Sequence, residues 1–194
     1  VFFDRGGAVI DSSPMYGNAE QVTGDLLQAV NNKQSLFAAT KVWTRGKQDG
    51  IRQMQRSSRR MGVKVFDLMQ IHNLLDWRVH LETLKSWKAE GKVRYIGITT
   101  SHGRFHDELE VILENEPLDF VQFSYNILNR TAEDRLLPIA EDRGIATLIN
   151  RPYARGELFR IAKVKPLPDW AADMDVTTWG QFFLKWIIGH PAVT

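Results

Sequence analysis

The 194-residue sequence contains no cysteine, which excludes disulfide bonds and thiolate chemistry. It has no apolar run near the roughly 18 residues that a membrane-spanning helix needs, and no recognisable signal peptide. Its net charge of +2 is too small for a strong nucleic-acid-binding surface. We therefore expect a monomer without a membrane or nucleic-acid partner. We expect it in the cytoplasm, although the start at Val1 leaves an exported form open.

Histidine is also scarce, and its spacing does not suggest a metal site. The chain has five histidines, and four of them stand outside any spacing with carboxylates that is typical of metal ligands. These four are interpreted as surface or helix-cap residues: His80, His102, His106 and His190. The sequence therefore predicts no bound metal.

Six short apolar segments alternate with helical patterns along the chain. These predicted strands are 8–11, 36–41, 66–71, 93–98, 119–123 and 145–149. Buried strands with helices between them indicate a parallel sheet of the α/β class. A doubly wound sheet and a barrel both satisfy this pattern, but the glycine-rich G-x-G-x-x-G turn of a Rossmann domain is missing. We predict a single domain over 1–194, a (β/α)8 TIM barrel that lacks its first strand and its last strand and helix.

Helix boundaries are predicted from caps and periodicity. Asn18 is predicted to cap a helix through about residue 31, with Gln21 completing a capping box. Its predicted inner face is Val22, Leu26, Leu27 and Val30.

The later helices are predicted in the same way. One helix spans 77–90 and is stopped by Gly91. The next starts at Thr100 or Ser101, another spans 133–143, and the last is capped by Thr177. Segments 43–50 and 156–176 are predicted to be loops that shape a pocket, with Trp43 and Tyr153 as aromatic walls.

Four polar residues stand at or just past the ends of predicted strands: Asp11, Tyr16, Lys41 and His72. In a barrel the carboxyl ends of the strands open on one face, where active sites lie. Taken singly, most of these residues have an ordinary structural interpretation as caps or packed side chains. Together they predict a proton-transfer site, and buried Lys41 in particular needs an opposite charge such as Asp11.

The chain resembles the aldo-keto reductase family in six ordered segments. They are Asp-Ser-Ser-Pro-Met-Tyr-Gly at 11–17, Thr-Lys-Val at 40–42, Gln-Ile-His-Asn at 70–73, and the segments 91–98, 121–126 and 150–156. The resemblance implies a nicotinamide cofactor, NADPH, and a small-molecule carbonyl substrate. It also implies hydride transfer, with Tyr16 as the general acid and His72 orienting the carbonyl. The Lys41 ammonium is expected to lower the pKa of the Tyr16 phenol from about 10.

The resemblance also implies the cofactor contacts. Thr99 and Thr100 stand where the family has a Ser-Asn pair on the nicotinamide carboxamide, and Gln122 keeps the third carboxamide contact. Asn150 replaces an aromatic ring under the nicotinamide. Arg151 is expected to pair with the pyrophosphate. The family segment that grips the adenosine 2′-phosphate is expected beyond Thr194.

Two other functions fit parts of the pattern. One is a cofactor-binding regulatory module of the same fold with little or no turnover, which the changes at Thr99, Thr100 and Asn150 would suit. The other is an unrelated barrel that uses Lys41 as a Schiff-base lyase, although the glycine-rich phosphate loop it would need is missing. The physiological substrate and the choice between NADP and NAD are open at this point.

Overall fold

The structure, a computed structural model, describes residues 1–163 and 165–194. They form two compact units, Val1–Thr99 and Thr100–Thr194. Both units consist of parallel strands and helices in alternation, which confirms the predicted α/β class.

The first unit contains four strands and three α-helices. In order they are β1 (Val9–Asp11), α1 (Ala19–Ala29), β2 (Phe37–Val42), α2 (Lys47–Met61), β3 (Phe66–Ile71), α3 (Trp77–Ala89) and β4 (Val93–Thr99). Neighbouring strands pair in parallel in the order β1-β2-β3-β4. Every residue of β3 is buried, as is all of β2 after Phe37, because helices cover a parallel sheet. The four strand predictions in this unit are confirmed to within a residue.

In its described residues, the second unit contains two strands and four α-helices. They are α4 (His106–Asn115), β5 (Phe120–Ser124), α5 (Leu136–Asp142), β6 (Ala146–Asn150), α6 (Glu157–Ala162) and α7 (Trp179–Ile188). β5 and β6 pair in parallel, with Ser124 opposite Asn150. The apolar core of α6 and α7 is Leu158, Ala162 and Phe183. Both strand predictions are confirmed to within a residue.

The predicted inner face of α1 is wrong at three of its four positions, Val22, Leu26 and Val30. Leu27 is buried, but Val22 is 53% exposed and Leu26 is 62% exposed. The helix instead buries Glu20, Gly24 and Leu27. Gly24 decides this rotation because a Cβ there would lie 2.0 Å from the carbonyl oxygen of Arg60 in α2, so that only glycine permits so close a crossing.

The predicted capping box of α1 is also wrong. Asn18 precedes the helix but makes no capping hydrogen bond, and Gln21 donates to Asp25 instead. In α7 the capping box is real, but it is formed by Thr178 with Gln181, one residue after the predicted Thr177.

Left-handed backbone explains why α4 starts later than predicted. The helix begins at His106, not at Thr100 or Ser101. His102, Gly103 and Phe105 all have φ between 60° and 70°, a region that a helix cannot include.

Several other boundary predictions are wrong. Part of the predicted loop 43–50 is helical, because α2 begins at Lys47. The predicted loop 156–176 contains α6 and a 3-10 helix at Asp169–Met174; its residue 164 lies outside the described residues.

The helix predicted over 77–90 is confirmed, with Gly91 at φ 71° after it. The helix predicted over 133–143 is shorter, covering Leu136–Asp142.

Candidate active site

Lys41 is the buried centre of a polar cluster in the first unit. Its side chain is fully buried at the carboxyl end of β2. The ammonium donates to both carboxylate oxygens of Asp11, at 2.7 and 2.6 Å, and to the carbonyl oxygen of Ser12 at 2.9 Å. An ammonium has three donors, and all three are used. Burial lowers the pKa of Lys41, while the Asp11 charge and hydrogen bond oppose that shift.

Gln70 joins this cluster from the neighbouring strand. It lies opposite Lys41 in the β2–β3 pairing, and its side-chain amide donates to Asp11 at 3.1 Å. The sequence motif that contains Gln70 did not by itself predict this role. The contact follows from the strand pairing in the structure, because residues opposite each other on adjacent parallel strands are neighbours.

Tyr16 lies over Lys41 in the segment between β1 and α1. Its ring centroid is 5.4 Å from the Lys41 Nζ, and the residue is 47% exposed. Burial and then the Asp11 charge raise the pKa of the phenol, so the predicted lowering is wrong. The main reason is that burial disfavours the charged phenolate; in addition, the Lys41 ammonium is paired with Asp11, whose negative charge acts in the same direction. The phenol is therefore protonated at neutral pH.

His72 lies immediately after β3, against Tyr16 and Trp43. Its ring meets the Tyr16 ring edge to face at 5.9 Å, and Trp43 is 6.3 Å away. Its Nδ1 is 2.9 Å from Ser13 Oγ. Burial and then the Lys41 charge lower the pKa of His72 to about 4. The imidazole is therefore neutral at neutral pH.

Two fixed segments support the His72 side of the cluster. Asn73 and Leu74, directly after His72, have left-handed φ values of 53° and 55°, and the Asn73 amide donates to Thr99 Oγ1 at 3.1 Å. The Gln53 side chain of α2 binds the backbone of Trp43: it accepts a hydrogen bond from the Trp43 N–H and donates one to the Trp43 carbonyl. Strained backbone that is held by its surroundings is common at functional sites.

In the second unit, three of the predicted cofactor residues lie in one hydrogen-bonded network. The Thr100 amide donates to the Gln122 carbonyl at 2.8 Å, and the Asn150 side chain donates to the Thr100 carbonyl at 2.8 Å. Ser124 donates to the Asn150 side-chain oxygen at 2.5 Å. Thr100 Oγ1 is buried without a hydrogen-bond partner among the described residues. Thr99 belongs to the first unit, where its hydroxyl already accepts from Asn73.

Arg151 lies in a cationic pocket of about 280 Å³ in the second unit. Its guanidinium is 2.9 Å from His102 Nδ1, and Arg155 is 3.0 Å from His102 Nε2. Burial and the charges of Arg155 and Arg104 lower the pKa of Arg151. His102, Arg151 and Arg155 all have left-handed φ values. None of the residues that line this pocket is a carboxylate.

Two further predictions concern residues outside these clusters. His80 is fully buried, and its Nε2 lies 2.8 Å from the Thr44 carbonyl oxygen, so its interpretation as a surface or cap residue is wrong. Tyr153, a predicted pocket wall, packs on Phe159 at 4.7 Å beside the α6–α7 core.

Membrane-spanning helices and clusters of metal ligands are both absent from the described residues. None of the helices in 1–163 and 165–194 is long and apolar enough to cross a membrane. Across that part of the chain, no three His, Asp or Glu side chains cluster as metal ligands would.

A buried lysine paired with an aspartate, a phenol and a neutral imidazole therefore lie together at strand ends of an α/β fold, an arrangement suited to proton transfer. The chain belongs to the aldo/keto reductase family, whose model matches residues 1–194. The predicted resemblance is confirmed.

Named relatives and a solved structure agree with this assignment. Aldo-keto reductase YhdN of Bacillus subtilis is 26% identical over 80% of this chain and 50% of its own length. The NADH-specific methylglyoxal reductase of Escherichia coli is 28% identical over 77% of this chain and 53% of its own length. An aldo/keto reductase of Klebsiella pneumoniae, solved with NADP and acetate, is 25% identical with a TM-score of 0.80, covering 98% of this chain and 69% of that one. The chain spans about half the length of the two curated relatives.

Proposed function

We propose that this protein reduces an aldehyde or ketone to an alcohol with a hydride from NADPH, and that Tyr16 is the general acid. The observation that carries the proposal is the fully buried Lys41 ammonium, paired with the partly buried Asp11 carboxylate, beneath Tyr16 and beside neutral His72. A protonated phenol close to an ion pair and an uncharged imidazole is suited to an oxygen that gains negative charge.

Each side chain of the polar cluster in the first unit has one role in this proposal. Tyr16 gives its proton to the substrate oxygen as that oxygen becomes an alkoxide. Lys41 stabilises the phenolate that Tyr16 becomes, and Asp11 keeps Lys41 charged in a buried position. His72 orients the carbonyl by donating a hydrogen bond to its oxygen. Trp43, which is 40% exposed, offers an apolar wall beside His72.

The second unit fits a nicotinamide dinucleotide in two respects. Thr100 Oγ1 is a buried hydroxyl without a partner, among the described residues, at the predicted carboxamide position, and the pocket of Arg151, Arg155 and His102 has no carboxylate in its lining to balance its charge. A carboxamide supplies the partner that the hydroxyl lacks, and a pyrophosphate supplies the missing negative charge. When bound, the cofactor supplies the hydride; Thr100, Gln122 and Asn150 would hold its nicotinamide end.

Further parts of the proposal rest on similarity and on sequence. The structural neighbour with a TM-score of 0.80 supports a (β/α)8 barrel as a single domain. One relative is named as a methylglyoxal reductase, which supports a small carbonyl compound as the substrate. Because that relative is named as NADH-specific, NADH should be tested beside NADPH as the hydride donor. The monomeric state and the cytoplasmic location of the protein stay predictions.

The test is NADPH oxidation with methylglyoxal by the purified protein and by Tyr16→Phe. We expect the variant to lose about 10²-fold or more in kcat, the usual scale for a lost general acid, with an unchanged Kd for NADPH. Tyr153→Phe is the matched control, because that hydroxyl lies in the α6–α7 core. A Tyr16→Phe enzyme with most of its kcat would refute Tyr16 as the acid.

The same measurements distinguish the alternatives. Tight NADPH binding by the wild type without turnover of any aldehyde or ketone would favour a regulatory module. A covalent adduct trapped by borohydride at Lys41 would favour Schiff-base chemistry.

A further inference from the structure

Ser13 is a buried hydroxyl that has no role in the proposed reaction so far. It lies two residues after Asp11, in the segment between β1 and α1, and it is fully buried. Its Oγ is 3.2 Å from the backbone nitrogen of Met15 and 2.9 Å from Nδ1 of His72. These are its side-chain hydrogen-bond contacts within the described residues.

The hydrogen bond between Ser13 and His72 has one direction that leaves no buried proton unpaired. The Met15 N–H can only donate, so it uses a lone pair of Ser13 Oγ. The Ser13 hydroxyl proton then needs an acceptor, because a buried donor without a partner is costly. Nδ1 of His72 is the acceptor within reach in the described part of the chain. The opposite direction, from Nδ1–H to Oγ, would leave the hydroxyl proton buried and unpaired.

The direction of this bond determines the tautomer of His72. A neutral imidazole carries one proton, and a ring nitrogen that accepts a hydrogen bond is the one without it. The proton therefore lies on Nε2. The depressed pKa of His72 agrees with a neutral ring. Nε2 has no hydrogen-bond partner among the described residues, so its N–H is available to a ligand.

We propose that Ser13 is a positioning residue that holds His72 in the Nε2–H tautomer, so that Nε2 donates to the carbonyl oxygen of the substrate. This inference rests on the proposed reductase function for its consequence in catalysis. Ser13 does not touch the substrate; it acts through His72. Without the Ser13 hydroxyl, His72 can also adopt the tautomer that carries its proton on Nδ1. In that tautomer Nε2 has a lone pair instead of an N–H, so it repels the carbonyl oxygen of the substrate and cannot donate to it.

The first test needs no variant. In nitrogen-15 NMR spectra at neutral pH, wild-type His72 should show protonated Nε2 and unprotonated Nδ1, with signals assigned by their loss in His72→Gln. A wild-type spectrum with protonated Nδ1, or with averaged tautomers, would overturn the proposal.

The second test compares variants. Ser13→Ala should shift the His72 signals towards a mixture of tautomers, and Ser13→Thr, which keeps the hydroxyl, should restore them. Ser12→Ala is the matched control for the spectrum, because its neighbouring buried hydroxyl has no hydrogen-bond partner among the described residues. A Ser13→Ala spectrum identical to that of the wild type would mean that another group sets the tautomer.

Kinetics connects the tautomer to catalysis. Ser13→Ala should lower kcat for aldehyde reduction by about 5- to 30-fold, the scale of one or two kcal/mol, with an unchanged Kd for NADPH. An unchanged kcat with a mixed tautomer would overturn the catalytic consequence. If the wild type reduces no carbonyl compound, the proposed function fails, while the wild-type spectrum still decides the tautomer.

Discussion

At the residue scale, His72 owes its neutral form to burial and to the nearby Lys41 charge. Both effects lower the pKa of the imidazole, and the Asp11 carboxylate only partly opposes them. The folded protein therefore binds this proton less readily than the unfolded chain does. A group of this kind couples stability to pH.

We predict that His72 makes the protein less stable as the pH falls from about 6.5 towards 4. In that pH range His72 is protonated in the unfolded chain but remains neutral in the folded protein, so a fall in pH favours unfolding. The effect is up to about 3 kcal/mol, because each unit of pKa shift corresponds to about 1.4 kcal/mol. Urea unfolding at pH 7 and pH 4.5 should show a smaller pH effect in His72→Gln than in the wild type. Equal pH effects in both proteins would contradict a depressed His72 pKa.

Sequence reasoning at this scale found the charged partners but not all of their surroundings. Asp11 and Lys41 follow from the cost of burying a lone ammonium, and the structure joins them. The pKa direction of Tyr16 did not follow, because it depends first on the burial of the phenol and then on the Asp11 charge. Ser13 was missed because a serine two positions after an aspartate resembles an ordinary turn residue.

At the element scale, single glycines decide how helices approach their neighbours. Gly24 in α1 lies against the Arg60 carbonyl of α2, where a Cβ would be 2.0 Å away. Gly180 in α7 has ordinary space, because the nearest atoms would lie 3.7 Å from a Cβ placed there. Gly24 therefore has no room for a side chain, whereas Gly180 has room for a methyl group.

We predict opposite effects of alanine at these two helical glycines. Gly24→Ala should destabilise the protein by about 1–3 kcal/mol, because backbone must move to relieve the overlap. Gly180→Ala should stabilise it by about 0.5–1 kcal/mol, because alanine is the better helix former and fits. Thermal unfolding of the two variants gives the comparison. Equal shifts in Tm would show that helix propensity alone acts at both sites.

The helix predictions failed where tertiary contacts replaced local signals. The apolar stripe of α1 predicted its inner face, but close packing on α2 turned Glu20, Gly24 and Leu27 inward. Glu20 is tolerated there because Thr40 donates to it at 2.8 Å. A hydrogen-bond partner on another element is not visible in helical periodicity.

At the scale of the whole molecule, a small net charge conceals a strong local concentration of positive charge. The chain carries only +2 overall, yet Arg151, Arg155 and His102 line one pocket without a carboxylate in its lining. The Arg151 and Arg155 guanidinium groups repel each other, and an anionic ligand removes that cost.

We predict that this pocket contributes to NADPH binding. Arg151→Gln and Arg155→Gln should each weaken NADPH binding by about tenfold, the scale of one charge-assisted hydrogen bond, and leave kcat at saturating NADPH largely unchanged. Arg160→Gln is the control, because Arg160 is paired with Glu157 on the exposed side of α6. Fluorescence titration at two salt concentrations measures the effect. NADPH affinity that is the same in the wild type and all three variants would remove this pocket from the cofactor site.

The sequence by itself determined the alternation of strands and helices, the strand positions and the family. Continuous apolar runs and strand-end polar residues are local signals, and each survives in the structure because burial of a parallel strand requires them. The grouping of Asp11, Tyr16, Lys41 and His72 followed from the same rule, since carboxyl ends of parallel strands lie on one side.

Only the tertiary structure decided the remaining features, because each depends on groups that are distant in the chain. The rotation of α1 depends on Arg60, and the pKa of Tyr16 depends on its burial and on the Asp11 charge. The tautomer of His72 depends on Ser13, which lies 59 positions away. Distances of this kind are set by packing, and no local pattern in the chain encodes them.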